Sequence, residues 1–421
     1  MTIIIDGTVG ANKAVVLDSN GKLPAIDGSL VTTLNATQVT TGSIATARLD
    51  TGTTNGKVLV LDGSGNMPAI AAASMTGIAS ATKSASDPTL STNPATGLGT
   101  KWINTTSGAI FILTDATAGA NVWTNTGGTS GDIAPYSYGG ELSGYAMGGG
   151  ADSGPTQNAR IDKYSFASDG DGVASGSTLS VSRVYMGAVQ VQSSTDGYTH
   201  GGYSGGYKSL LNKFSFASAG TATTPGQLTT VGAASNGCNS KTHGYRTGGN
   251  SSAGATIDRW PFATDTNAVD VGDLLTTMSD HSSSTEGDTY GYVANAGVIS
   301  KFAFASSANA VATTQTMTDR GSLGGNSSST HGYTTGGWNG SAAVNEIHKY
   351  AFSSSVNASD IANLIGARTA VTSSTSVTHG YTASGGASDL QIEKHTFASD
   401  SDSTNVGNLP YVHSTGGGCH N

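Results

Sequence analysis

Ile161-Asp162-Lys163-Tyr164-Ser165-Phe166 is the first of six copies of one short phrase; the others begin at Leu211, Ile257, Ile299, Ile347 and Ile392. The consensus is an aliphatic residue, any residue, Lys or Arg, an aromatic residue or His, any residue, and Phe. Its period of two reads as a β-strand that puts Tyr164 with Phe166, Trp260 with Phe262, and Phe302 with Phe304 on one face. Upstream of each copy stands Gly-Tyr, in most followed by a Gly pair, as in Gly244-Tyr245-Arg246-Thr247-Gly248-Gly249. The marker tyrosines are Tyr145, Tyr198, Tyr245, Tyr292, Tyr333 and Tyr381, spaced by 53, 47, 47, 41 and 48 residues.

A repeat of that length holds four short strands, which is one blade of a β-propeller. Strand a is the Ser-rich run ending in Ser193-Ser194-Thr195, Ser327-Ser328-Ser329-Thr330 or Ser373-Ser374-Thr375, whose small side chains suit a crowded channel. Strand b is the Gly-Tyr segment and strand c the six-fold phrase. Strand d carries Leu179, Leu228, Leu274, Met317, Leu364 and Leu409. Aromatic pairs of one blade would fill the space against the next. The first repeat begins at strand b near Ser143, and residues 411–421 look like one more strand a, so they are expected to complete the first blade and remove its open edge.

Composition agrees with this class. Charged residues are 11% and Gly is 60 of 421, against typical values of about 25% and 7%. Ser, Thr, Asn and Gly supply the polarity, which favours tightly turning β structure over long solvated helices. The formal net charge of −9 is spread without a basic run, so neither nucleic acid nor membrane insertion is expected. The start lacks the basic region of a secretory signal, so work outside a cell would need another exit route. Cys238 and Cys419 occupy equivalent places two blades apart and are expected to be free thiols.

The N-terminal third differs. Lys13 to Ile26 recurs as Lys57 to Ile70, each copy a short apolar strand, a polar Gly turn and a second strand. Units this small bury little core, so association of several chains is the simplest remedy. The expected organisation is an oligomerising β region over 1–77, a linker over 78–98, a small β module over 99–130 and a six-bladed propeller over 131–421. The module comprises Lys101-Trp102-Ile103-Asn104, a turn at Ser107-Gly108, a second strand through Phe111, and Val122-Trp123-Thr124-Asn125.

Two resemblances follow. The Gly pairs Gly201-Gly202, Gly248-Gly249, Gly336-Gly337 and Gly385-Gly386, with an aromatic in strand c, resemble kelch-type propellers; the fourth repeat departs, with Val293-Ala294-Asn295-Ala296-Gly297. The phrase Gly21-Lys22-Leu23-Pro24-Ala25-Ile26-Asp27-Gly28-Ser29, with the Trp102 to Asn125 module, resembles bacteriophage tail-fibre and related virion proteins. That likeness implies an appendage of a virus particle, located on the virion, homo-oligomeric and trimeric. It would bind other tail proteins through its N-terminal region and a host surface glycan or protein through its propeller. Alternatives are a capsid or neck decoration protein and a polysaccharide-cleaving propeller.

No unique catalytic constellation stands out, and no catalytic residue, cofactor or metal is assigned. His243, His331 and His379 share a Thr-His-Gly-Tyr setting, which reads as a turn element, although His331 and His379 fall on adjacent blades where a surface metal site is conceivable. Asp169-Gly170-Asp171 and Asp400-Ser401-Asp402 have calcium-like oxygen spacing but lack the full loop and read as turns. The receptor-contact candidates are Tyr203, Tyr207 and Lys208 in the loop between strands b and c of the second blade, and Trp338 and Asn339 in that of the fifth. Exposed rings with hydrogen-bonding neighbours would suit sugar stacking; packing against neighbouring loops is the other reading.

Overall fold

The computed structural model describes residues 19–20, 81–128, 132–133, 139–150, 157–189, 195–277, 282–386 and 389–421. The chain divides into two compact units, Met1–Thr82 and Lys83–Asn421. Expectations for residues 1–77 lie outside the described residues, except that Ser19 and Asn20 form a turn in the first N-terminal repeat. Regular structure among the described residues is all β apart from a single 3-10 turn at Ser251–Ala253.

The first sheet has strand order β1-β2-β3-β4, with β1 at Thr82–Ser84, β2 at Lys101–Asn104, β3 at Ile110–Asp115 and β4 at Val122–Gly127. Ala109, Phe111, Leu113 and Trp123 form its small core, with Trp102 set edge-on to Trp123 at 5.8 Å. Within the stretch expected to be a linker, residues 82–92 are tied to this sheet. The Trp102 indole N–H donates to Ser86 O at 2.9 Å, Asn104 Nδ2 to Asp87 Oδ1 at 2.7 Å, and Asn121 Nδ2 to Thr92 O at 2.7 Å.

Six further four-stranded antiparallel sheets follow. One consists of β5 (Ser143–Met147), β6 (Arg160–Ser165) and β7 (Val173–Thr178), completed from the far end of the chain as described below. The second contains β8 (Gly187–Val189), β9 (Asp196–His200), β10 (Lys208–Ser215) and β11 (Gln227–Gly232), and the third β12 (Asn236–Asn239), β13 (His243–Thr247), β14 (Thr256–Pro261) and β15 (Val269–Asp273). The fourth contains β16 (Ser283–Glu286), β17 (Tyr290–Asn295), β18 (Val298–Ala303) and β19 (Val311–Thr316). The fifth contains β20 (Gly324–Ser327), β21 (His331–Thr335), β22 (Glu346–Ala351) and β23 (Ser359–Asn363), and the sixth β24 (Thr372–Thr375), β25 (His379–Gly385), β26 (Asp389–Thr396) and β27 (Thr404–Asn408). The last strand, β28 (Gly417–His420), pairs antiparallel with β5, Gly417 opposite Met147 and His420 opposite Gly144, so the end of the chain supplies strand a of the first of these sheets.

The strand a of each sheet lies beside that of the next, from β8 through β12, β16 and β20 to β24, and β28 lies beside both β24 and β8. Each sheet-to-sheet seam repeats one ring contact. The strand b tyrosine meets the Phe that ends the strand c phrase of the following sheet, as in Tyr292 with Phe352 at 4.5 Å and Tyr381 with Phe166 at 4.6 Å. Tyr145 with Phe216, Tyr198 with Phe262, Tyr245 with Phe304 and Tyr333 with Phe397 repeat it at 4.8–5.2 Å.

This packing explains why the two repeated phrases travel together. The Gly before each marker tyrosine sits under the aromatic ring of its own sheet's strand c, and a Cβ there would lie 2.5 Å from the Trp260 ring at Gly244 and 2.4 Å from the Tyr350 ring at Gly332. The outer strand departs slightly from expectation. Leu179, Leu274, Met317, Leu364 and Leu409 each stand one residue beyond strand d rather than within it, buried as plugs; only Leu228 lies inside its strand. Strands c and d pair through a bulge in all six sheets, which bends strand d and frees the next side chain to turn inward. Ser193 and Ser194 of the expected second strand a lie outside the described residues; β8 is formed earlier, at Gly187–Val189.

Candidate functional site

Loops from strand b to c share one end of the sheets with connections from d to a, because neighbouring strands run antiparallel. The structure joins the two loop classes directly. Tyr203 bridges to Val184 and Trp338 to Gly321, each partner lying in a d-to-a connection. In the second sheet Gly205 and Gly206 make a tight turn with positive φ, Ser204 N–H donates to Gly206 O at 3.0 Å, and Tyr203 and Tyr207 are brought into an edge-to-face pair at 5.6 Å. Both rings are about two-fifths exposed, at 38% and 43%. Lys208 opens β10 beside them and is half-buried.

In the fifth sheet Trp338 is 47% exposed, pinned at its backbone by Trp338 N–H to Gly321 O at 2.8 Å. Asn339 Oδ1 accepts from the backbone N–H groups of Ser341 and Ala342, both at 3.0 Å, so it builds the loop and leaves only its amide NH2 for a ligand. The two candidate groups are not brought together. Second and fifth sheets are separated by two others in either direction around the order of strand a neighbours, so Tyr203 with Tyr207 forms one patch and Trp338 another. Residues 151–156 of the corresponding loop in the first of the six sheets lie outside the described residues.

The repeated histidines are turn elements. In His243, His331 and His379 the ring Nδ1 lies 2.8 Å from the hydroxyl of the preceding Thr, and the backbone N–H donates to the Oγ of Ser240, Ser328 and Ser376 at 3.0–3.1 Å. No group of three or more His, Cys, Asp or Glu is placed to hold a metal among the described residues. The acidic loops act as seams instead. Asp169 pairs with Lys394 at 2.6 Å and Asp400 with Lys349 at 2.8 Å, while Asp171 accepts the Asn408 N–H and Asp402 the Asn363 N–H. Asn267, Asn309 and Asn357 do the same in other sheets, accepting from Gln227, Asp273 and Thr316. Lys213 likewise crosses a seam to Asp265 at 3.0 Å, whereas Lys301 lies over its own sheet's Tyr290 at 4.6 Å.

One set of residues has no counterpart in the sequence reading. Arg183, Arg320, Arg368 and His413 each stand four residues before a strand a, and each is buried beneath a strand c. His413 Nε2 lies 2.8 Å from Asp162 Oδ2, Arg183 donates to Asn212 Oδ1 at 2.8 Å, and Arg368 pairs with Asp389 at 3.0 Å and with Glu393. In the third sheet Arg246, from strand b, takes the role with Asp258 at 2.8 Å, both side chains fully buried. The unspecified second residue of the strand c phrase is a partner of Arg183, Arg246, Arg368 and His413, whereas Arg320 pairs with Glu346, two residues before that position. The detectable signal was the recurring Arg-x-x-aliphatic spacing ahead of strand a, as in Arg320 to Leu323 and Arg368 to Val371.

Between the strands a lies a cavity of about 30 Å³. Ala188, Gly237, Ser284, Gly325, Ser373 and Gly418 line it, the small side chains expected there. Cys238 and Cys419 are buried and unbridged, and burial pushes both thiols up and out of reactive range. No helix among the described residues is long and apolar enough to cross a membrane. No protein-family model matches the chain, and no curated protein matches it significantly.

Proposed function

We propose that residues 131–421 form a six-bladed, kelch-like propeller and that the chain is a structural protein of the tail-fibre type, on the virion, whose propeller recognises a host surface glycan. Six similar sheets with strand a neighbours in cyclic order, and a first sheet completed by the end of the chain, support the architecture. The observation that carries the recognition reading is the Tyr203–Tyr207 pair: two exposed rings fixed at right angles on a Gly turn, at the end of the sheets where loops differ most between repeats. Rings of this kind stack on the apolar face of a sugar while neighbouring Ser and Asn groups meet its hydroxyls. Attachment to other tail proteins and trimer formation rest on the N-terminal repeats.

The test is adsorption. Virus particles carrying Tyr203→Ser, Tyr207→Ser and Trp338→Ser together should lose adsorption to host cells, with assembly and melting intact. Changing only the tyrosine pair and only Trp338 tells which patch carries the contact. Undiminished adsorption of the triple variant would remove these loops from the receptor site, and a monomeric mass in solution would count against the fibre reading.

A further inference from the structure

The opposite end of the sheets holds a larger recess. Between the fifth and sixth sheets lies a cleft of about 510 Å³, in the size range of small-molecule sites. Two a-to-b turns form its rims, with Ser329 at the tip of one and Val377 at the tip of the other, and both side chains are exposed. His331 and the Phe397 ring line its wall, and Gly139, in the segment leading into β5, forms a third side. That segment is held against the sixth sheet by Gly140 N–H to Thr375 O at 2.8 Å and Val377 N–H to Gly140 O at 3.3 Å.

The seam between the third and fourth sheets closes at this place. The positions equivalent to Ser329 and Val377 in the third and fourth sheets are Lys241 and Asp288, and these pair across the turn tips at 3.5 Å. In the fourth sheet the position of His331 is taken by Tyr290, whose ring is covered by Lys301. The fifth and sixth sheets have replaced the bridging charges by a hydroxyl and a valine, so the mouth stays open.

The wall chemistry selects the occupant. Lys349 lines the cleft but is neutralised by Asp400 at 2.8 Å, and burial together with the nearby Lys349 charge lowers the His331 pKa, so the recess presents no net charge at neutral pH. His331 Nδ1 is held by Thr330 at 2.8 Å; no hydrogen bond among the described residues engages its Nε2 or the Ser329 hydroxyl. Phe397, Val377 and Ala398 supply an apolar side opposite these polar groups. A ligand that matches must be uncharged, rich in hydroxyls and apolar on one face.

We propose that this cleft, walled by Ser329, His331, Val377 and Phe397, binds a neutral saccharide unit. The site is independent of the loop patches, since a-to-b turns and b-to-c loops lie at opposite ends of the strands. The experiment is saturation-transfer NMR on the full-length protein with glucose, galactose, mannose, N-acetylglucosamine and the disaccharides cellobiose, lactose and chitobiose. At least one should give transfer, and Ser329→Lys with Val377→Asp, which copies the Lys241–Asp288 closure, should weaken it by about tenfold or more at unchanged melting temperature. His331→Ala should weaken it as well, and if the double variant melts lower, Val377→Trp, which fills the mouth, decides in its place. The Tyr203, Tyr207 and Trp338 triple variant should bind as before. No transfer from any of these sugars, or binding that survives closure of the mouth, overturns the proposal; a signal lost only in the triple variant would instead assign sugar binding to the loops.

Discussion

Lys394 Nζ lies 2.6 Å from Asp169 Oδ1, an ion pair between the sixth and the first of the six similar sheets across 225 residues of sequence. The same seam carries Asn408 N–H to Asp171 Oδ1 at 2.9 Å and a buried contact of Tyr164 with Ser374 at 2.6 Å. The ion pair is exposed on its Asp side and contributes little by itself. What ties residues 417–420 to the sheet that begins at Ser143 is the strand it accompanies: β28 against β5, four residue pairs long.

Deleting residues 411–421 should therefore be disabling. It strips β5 of its ladder partner, leaving an unpaired edge, and it removes His413 from a fully buried Asp162. The truncated protein is expected to scatter light on mild heating and to lose a single cooperative transition in calorimetry. A truncated form melting like the full chain would refute this role for the end of the chain.

Two tryptophans offer a direct comparison. Trp260 is buried to 1% exposure at a seam, against Tyr198 and the His200 ring, whereas Trp338 is about half exposed. Trp260→Ala should cost roughly 3–5 kcal/mol in urea unfolding. Trp338→Ala should cost no more than about 0.5 kcal/mol. Equal losses would contradict the placement of both.

Much of this architecture was legible because strand c alternates strictly and recurs six times, so its aromatic face and its partner Gly-Tyr phrase identify themselves. Strand d was legible only through its Leu or Met marker, which in five of the six sheets proved to be a plug just past the strand, where the register shifts at a bulge. The Arg183, Arg320, Arg368 and His413 latches were hidden because the buried Arg or His and its acceptor sit far apart in sequence and the acceptor varies among Asp, Asn and Glu. Residues 82–92 read as a linker for want of large apolar groups; they are held by side-chain and backbone hydrogen bonds, which composition does not reveal. The candidate aromatics were recognisable as loop residues, but their exposure and their separation into two patches depend on the placement of whole sheets.

The latch of the sixth sheet is suited to a mutant cycle. Glu393 is fully buried, accepting from the Ile365 N–H at 2.8 Å as well as from the Ser403 hydroxyl and the Arg368 guanidinium. Arg368→Met leaves that carboxylate without its cation and should cost about 3–5 kcal/mol. Arg368→Met with Glu393→Met should recover most of the loss, since a buried ion pair is often replaceable by apolar groups of similar volume. If the double variant is no more stable than the single one, the carboxylate is not what makes the single change costly.

The last strand a residue differs from sheet to sheet, and in the fourth it is Glu286, which is fully buried. Its backbone N–H donates to Ser327 Oγ at 3.0 Å, Ser327 N–H approaches Thr375 Oγ1 at 3.4 Å, and Thr375 N–H donates to His420 Nδ1 at 3.1 Å, a chain of contacts linking three sheets to the end of the chain. Neither Glu286 carboxylate oxygen has a hydrogen-bond partner among the described residues. Burial therefore pushes its pKa well above the ordinary carboxylate range. The sign follows from linkage. With the folded pKa above the unfolded one, the stability this group permits is fully present below the unfolded value of about 4.3 and falls as pH rises toward the folded value, at up to about 1.4 kcal/mol per pH unit. Glu286→Gln keeps the shape and removes the titration, so its melting temperature should match the wild type near pH 4 and exceed it by a margin that grows from pH 5 to pH 8. Buried His200 and His395, whose pKa values burial lowers, titrate identically in both proteins and cancel from the difference. A margin that stays constant or shrinks as pH rises would mean that Glu286 is ionised in the folded protein and satisfied by a partner.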